Sequence, residues 1–138
     1  MTVDPITLEV ARNRLEAIAD DMGIVLRRTS YSPNIKERAD CSAALFNPAG
    51  EMLAQAEHIP VHLGSMPASV AAVLDRCGAD AEPGTRFAVC GASGGGTLLC
   101  VRSGVRPACV GGQLVAWGAD RGLRAGVGGV ARGARRAL

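Results

Sequence analysis

The sequence predicts an α+β fold. Three features carry that reading: a long amphipathic stretch at the start, short apolar runs punctuated by turn residues, and a second helical stretch stopped by glycine. Asp4-Pro5 opens the first helix, since Asp supplies an N-cap acceptor and Pro suits the N1 position, where no amide is needed. Leu8, Ala11, Leu15, Ile18, Met22 and Val25 then recur every third or fourth residue. That spacing predicts one apolar stripe on a helix of about 22 to 25 residues, with Arg12, Glu16 and Asp20 off it. Arg27-Arg28 fall in its last turn, where the helix dipole favours cations, and Ser32-Pro33-Asn34 ends it. Cys41–Phe46 and Met52–Ala56 flank Asn47-Pro48-Ala49-Gly50, a turn joining two short antiparallel strands. Gly64-Ser65-Met66-Pro67 leads into a second helix, Ala68–Cys77, with Gly78 at the C′ position. Glu82-Pro83-Gly84 turns into a strand at Arg86–Cys90. Val105–Val110 and Gln113–Ala119 flank Gly111-Gly112, a two-residue hairpin signal of type I′.

The 138 residues allow one domain with a real core. With 48% hydrophobic and 20% charged residues, neither a disordered chain nor a membrane protein fits. No run approaches the ~18 apolar residues of a spanning helix. Met-Thr-Val-Asp-Pro lacks the basic start and apolar core of a signal peptide, so a soluble, cytoplasmic protein without a membrane partner is expected. The charge is unevenly spread. Residues 1–82 hold 12 acids and 7 bases, whereas residues 83–138 hold 8 arginines and a single acid, Asp120. Thirteen of the 18 glycines lie from Gly91 onward, so residues 120–138 read as a disordered Gly/Ala/Arg tail without a closing element. The arginines are scattered, no aromatics interleave with them, and Lys36 is the one lysine, which argues against nucleic acid as a partner. Cys41, Cys77, Cys90, Cys100 and Cys109 form no C-x-x-C pair, as expected of free thiols in a reducing compartment.

Several motifs resolve into plainer readings. Gly91-Ala92-Ser93-Gly94-Gly95 matches the G-x-S-x-G nucleophile elbow, but Gly94-Gly95-Gly96 starts a helix poorly and both histidines lie upstream. A glycine-rich loop with an incidental serine is the better reading. Gly126–Ala131 resembles a dinucleotide fingerprint without its strand, helix or acid. Lys36 follows no glycine-rich loop, so a Walker A site is excluded. In Glu57-His58-Ile59-Pro60-Val61-His62, Pro60 interrupts the helix that a pair of zinc-binding histidines four apart needs. In an extended segment His58 and His62 stand roughly 13 Å apart, too far to chelate one ion. Each is either a structural histidine or a separate hydrogen-bond partner, proton carrier or interface residue.

Asp4-Pro5-Ile6-Thr7-Leu8-Glu9-Val10 with Asn13-Arg14-Leu15 resembles the opening of the hydantoinase B/5-oxoprolinase family, which includes the alpha subunits of acetone-carboxylase-type enzymes. Arg28–Arg38 resembles it too. The run Ala54–Pro67, containing Glu57, His58 and His62, is the most specific stretch. The resemblance is strong over residues 4–89 and continues in register, damaged, to about Gly129. On this reading residues 1–119 form the N-terminal part of a larger catalytic domain. The resemblance implies ATP-assisted ring opening of a cyclic amide, with ATP handled by a hydantoinase A-type partner subunit. In the carboxylase branch it implies a divalent metal, typically manganese, held by a G-G-T-H-x-x-D and an H-H-x-D segment. Both segments are broken here. Leu98 stands for His, Val101 for Asp, Leu123 and Arg124 for two histidines, and Gly126 for Asp. Leu, Val and Gly offer a cation no donor, and Arg opposes it.

No metal and no cofactor of its own is therefore expected of this chain, and no catalytic residue is assigned. Glu57, His58 and His62 are the candidate binding or interface residues. Two functional readings stand: a truncated, inactive hydrolase subunit, and a non-catalytic module that docks an A-type subunit. A third is a small enzyme with unrelated chemistry at Ser93. Self-association through uncovered apolar faces is a further expectation.

Overall fold

The computed structural model describes residues 3–56, 60–78, 81–90, 101–123 and 136–137. Helix α1 (Pro5–Thr29) begins as its sequence dictates: the Asp4 carboxylate accepts the Thr7 amide at 3.2 Å, and Pro5 opens the first turn. A four-residue helix, α2 (Pro33–Lys36), follows. Strands β1 (Cys41–Phe46) and β2 (Met52–Ala56) form the expected hairpin, with Gly50 at φ +87° in its turn. Helix α3 (Pro60–Cys77) precedes β3 (Phe87–Cys90), β4 (Val101–Val110), β5 (Gln113–Leu123) and the two-residue β6 (Arg136–Ala137). Gly111 and Gly112, both at positive φ, make the β4–β5 turn the type I′ its sequence announces.

The sheet order is β2-β1-β5-β4-β3-β6, antiparallel except for the β3–β6 pairing. Helix α3 covers one face, where Met66, Val70 and Val73 pack on Ala44, Phe46, Phe87, Val89, Val105, Trp117 and Ala119. Helix α1 covers the other, with Leu15, Ala19 and Met22 against Ala43, Ala54 and Ala56. The second interface is thin because small residues line it. Gly118 leaves room for the Met22 methyl, 3.2 Å from where a Cβ would stand, and Gly122 does the same for Ile35 at 2.8 Å.

Part of the α1 stripe is uncovered: Leu8, Ile18 and Val25 are exposed, and the buried positions of the helix are Ala19 and Gly23. A small-residue face lets the helix approach a sheet surface of alanines and glycines, which a row of leucines would hold off. Three expectations need correction. The second helix starts at Pro60 rather than Ala68, so Pro60 opens a helix at N1 instead of breaking one, and Pro67 lies inside it. The strands flanking Gly111-Gly112 extend back to Val101 and on to Leu123, because β5 is paired on both sides. That moves the boundary placed at Ala119: Asp120–Leu123 is strand, and Arg136–Ala137 pairs with Phe87 and Ala88. The rest of the expected tail, 124–135 and 138, lies outside the described residues.

Among the described residues, no helix is long and apolar enough to cross a membrane. Cys41, Cys77 and Cys109 are free thiols.

Candidate functional site

Alternation along the strands builds a polar row into an otherwise apolar layer. Trp117, Ala119 and Arg121 point to the α3 side of β5, as do Phe46, Ala44 and Ser42 on β1 and Val105 and Ser103 on β4. Register then sets Ser42 and Ser103 on either side of Arg121. Helix α3 lowers His62, Ser65 and Ser69 onto this row from three consecutive turns. These six polar positions, with Asp40 at the rim, lie at the end of the sheet where β1 and β4 begin and β5 finishes.

Arg121 is 1% exposed. Its Nη1 donates to Ser103 Oγ at 2.8 Å and to Ser69 Oγ at 3.4 Å. The Ser69 hydroxyl is within reach of the Ser65 carbonyl at 3.1 Å and of Ser103 Oγ at 3.3 Å, and Ser65 Oγ donates to the His62 carbonyl at 3.0 Å. Asp40 follows Ala39, a non-glycine residue in the left-handed region at φ 54°, and this bend sends the chain into β1. Beside Asp40, the His62 ring holds Nε2 3.4 Å from Oδ1 and Nδ1 3.5 Å from Ser42 Oγ. Burial pushes the His62 pKa down from its ordinary 6.5, Asp40 pulls it up, and Arg121 pushes it down again; the net direction is down. Its place as the third residue of α3, near the positive end of the dipole, acts the same way. The ring is therefore neutral at pH 7, with Ser42 Oγ at the edge of hydrogen-bond distance from Nδ1 and the Asp40 carboxylate close to Nε2. A Ser-His-Asp set of this kind is no nucleophile: Ser42 is wholly buried and both contacts are long. Burial likewise pushes the Cys41 thiol up, leaving it protonated.

A pH dependence follows from His62. The unfolded chain binds a proton at the ordinary value and the folded chain only below it. The neutral ring's contribution is thus complete above about pH 6.5 and is lost as pH falls through that value toward the folded pKa. Urea midpoints between pH 8 and 5 should fall more steeply for this protein than for His62→Gln. Parallel curves would show that His62 titrates alike in both states.

Of the residues singled out from sequence, His62 sits in this cluster, while Glu57 and His58 lie outside the described residues, as do Ser93 and its loop, Leu98, Cys100, Arg124 and Gly126–Ala131. Val101 and Leu123, which stand where the resemblance implies ligands, are direct register partners across β4 and β5. The Leu123 amide donates to the Asp40 carbonyl at 3.1 Å, so this pair adjoins the His62 cluster. Neither side chain carries a donor atom, and the nearby buried cation of Arg121 opposes a second positive charge. Of the positions where the resemblance implies ligands, these two are the described ones, and neither supplies a donor to a divalent metal. Sequence reasoning missed Asp40, Ser42, Ser69, Ser103 and Arg121. The signal was there in two places: Arg121 is in phase with Trp117 and Ala119, and Ser69 is in phase with His62 and Ser65.

The comparisons with known proteins agree in direction. The family model described as hydantoinase B/oxoprolinase matches residues 4–137. 5-oxoprolinase 1 of Arabidopsis thaliana is 40% identical over 130 residues, 94% of this chain and 10% of that protein. The beta subunit of the Pseudomonas jessenii caprolactamase is 46% identical over 65 residues, 47% of this chain and 11% of the subunit. The crystal structure of ATP-dependent caprolactamase from the same organism superposes with a TM-score of 0.77 at 30% identity, over 90% of this chain and 21% of that one. Nucleotide-free acetone carboxylase, at 22% identity and a TM-score of 0.74 over 87% of this chain and 16% of its own, shares the fold. This chain spans about a tenth of the length of the two relatives compared by sequence. A family model that follows the sequence from Asp4 almost to the last residue makes this chain a member of the hydantoinase B/oxoprolinase family.

Proposed function

We propose that this chain is a catalytically silent member of a hydrolase family whose reaction is the ATP-dependent, ring-opening hydrolysis of a cyclic amide such as 5-oxoproline or a hydantoin. The observation that carries the reading is the Val101–Leu123 pairing. It sets one position from each family ligand segment side by side, and both positions hold aliphatic residues. The polar groups that remain are committed to one another: His62 to Asp40 and Ser42, Arg121 to Ser69 and Ser103. The chain holds no ATP, which an A-type subunit handles, and no metal in the family's manner. Free thiols support a cytoplasmic setting. Titrated by calorimetry, the purified protein should take up manganese or zinc no better than a surface carboxylate does. With ATP it should release no product from 5-oxoproline or hydantoin. One stoichiometric micromolar metal site, or turnover above the blank, overturns the reading.

A second reading, a docking module for a hydantoinase A-type subunit, is favoured by the first turns of α1. Ile6, Leu8 and Val10 are exposed there, and Tyr31 is fully exposed beyond the helix. An immobilised A-type subunit should retain this protein and lose it when Ile6 and Leu8 are both changed to Glu. Retention that the double variant leaves unchanged would place the contact elsewhere.

A further inference from the structure

We propose that the angle between the end of α1 and α2 is a binding site for a phosphate-class oxyanion, independent of the polar cluster under α3. A cavity of about 430 Å³ opens there, lined among the described residues by Ile24, Arg27, Arg28 and Lys36. Three cations thus face one space. Among the described residues the ion pairs are Arg12–Glu16 and Arg106–Asp120, and none of the three cations takes part in one. All acidic residues except Glu57 and Asp80 lie among the described residues, and none of these forms an ion pair with the three cations.

Asp120 lies beside Arg106, and Asp40 lies beside the His62 ring. Arg27 adds the decisive detail: its Nε is buried and has no hydrogen-bond partner. A buried guanidinium N–H without an acceptor is costly, which leaves the Arg27 guanidinium short of one partner beside the cavity. The α1 carbonyl dipole offsets part of the positive field but leaves that N–H unpaired.

The lining selects the ligand class. Two guanidiniums offer planar forks that match phosphate oxygens two at a time, and the lysine adds a point charge. Three positive charges suit a divalent phosphate better than a monocarboxylate. Ile24, 41% exposed, supplies an apolar wall on which the carbon part of a phosphate ester can rest.

The test is equilibrium dialysis of the whole chain against inorganic phosphate and, separately, glycerol 3-phosphate, with acetate and chloride at matched ionic strength. One phosphate per chain should bind saturably. Arg28→Gln with Lys36→Gln should weaken it by about tenfold or more. Both side chains line the surface, so the fold should tolerate the change, and circular dichroism checks it. Arg106→Gln, a half-exposed cation on β4, should change nothing. Tighter binding of glycerol 3-phosphate identifies an organic ester as the ligand, and equal binding identifies free phosphate. Affinity unchanged in the double variant, equal displacement by acetate, or no saturable binding overturns the proposal.

Discussion

Trp117→Ala is expected to destabilise this protein by about 3–5 kcal/mol, a large part of the 5–15 kcal/mol that holds a typical domain folded. Three of the four aromatic residues share this core. Trp117 is wholly buried, directly opposite Phe46 on β1 and Pro107 on β4, with the Phe87 ring 6.3 Å away at 51°. Alanine leaves a void that a two-sided sheet core closes poorly, since β5 is hydrogen-bonded along both edges and cannot shift inward. Trp117→Phe should cost much less. The indole Nε1 is buried without a partner, so phenylalanine removes an unpaired donor along with some contact area. Urea melts read both variants through the midpoint, with little change in slope. A phenylalanine variant as unstable as the alanine variant would mean that the whole indole outline is needed.

The second large effect concerns Arg121. Its replacement by alanine should cost about 2–4 kcal/mol, through the lost side-chain stem and the hydroxyls of Ser69 and Ser103 left without their donor. Arg121→Met keeps the stem and removes the charge. A buried ion exchanged for a well-fitting apolar group is often nearly neutral, so this variant should stay close to the parent in stability. The two variants share one spectroscopic consequence. Arg121 opposes protonation of His62, so its removal should move the His62 titration upward. Imidazole proton shifts followed against pH read this directly. A His62 pKa that stays in place would show that the guanidinium exerts no field on the ring.

The parts of the fold that were legible in the sequence are those set by local chemistry. Asp4-Pro5 names the start of α1, and Asn47–Gly50 and Gly111-Gly112 name their turns, because capping and positive φ are demands on single residues. What escaped depends on the partner surface. The α1 stripe predicts a helix correctly but not which face is covered, since Ala19 and Gly23 are chosen by the alanines opposite them. Pro60 and Pro67 are ambiguous by themselves, each compatible with a first turn. The run His62, Met66, Ser69, Val70, Val73, Cys77 settles the longer helix, and mixing polar with apolar residues hid it. Arg121 escaped for a related reason: a charged residue late in the chain reads as surface until the strand on its far side is known.

Strand β5 lies between β1 and β4, and only β4 is its neighbour in sequence. Phe46 meets Trp117, and Cys41 meets Gly122, across most of the chain. During synthesis, β1 and β2 emerge early and form their hairpin with the inner edge of β1 open. That edge waits, unpaired, until Gln113–Leu123 has left the ribosome. Closure of the sheet is therefore a late event with a long loop to close, and a slow one relative to the growth of α1. The waiting edge, flanked by Ala43, Leu45 and Phe46, is where a nascent chain of this protein is exposed to mispairing with another.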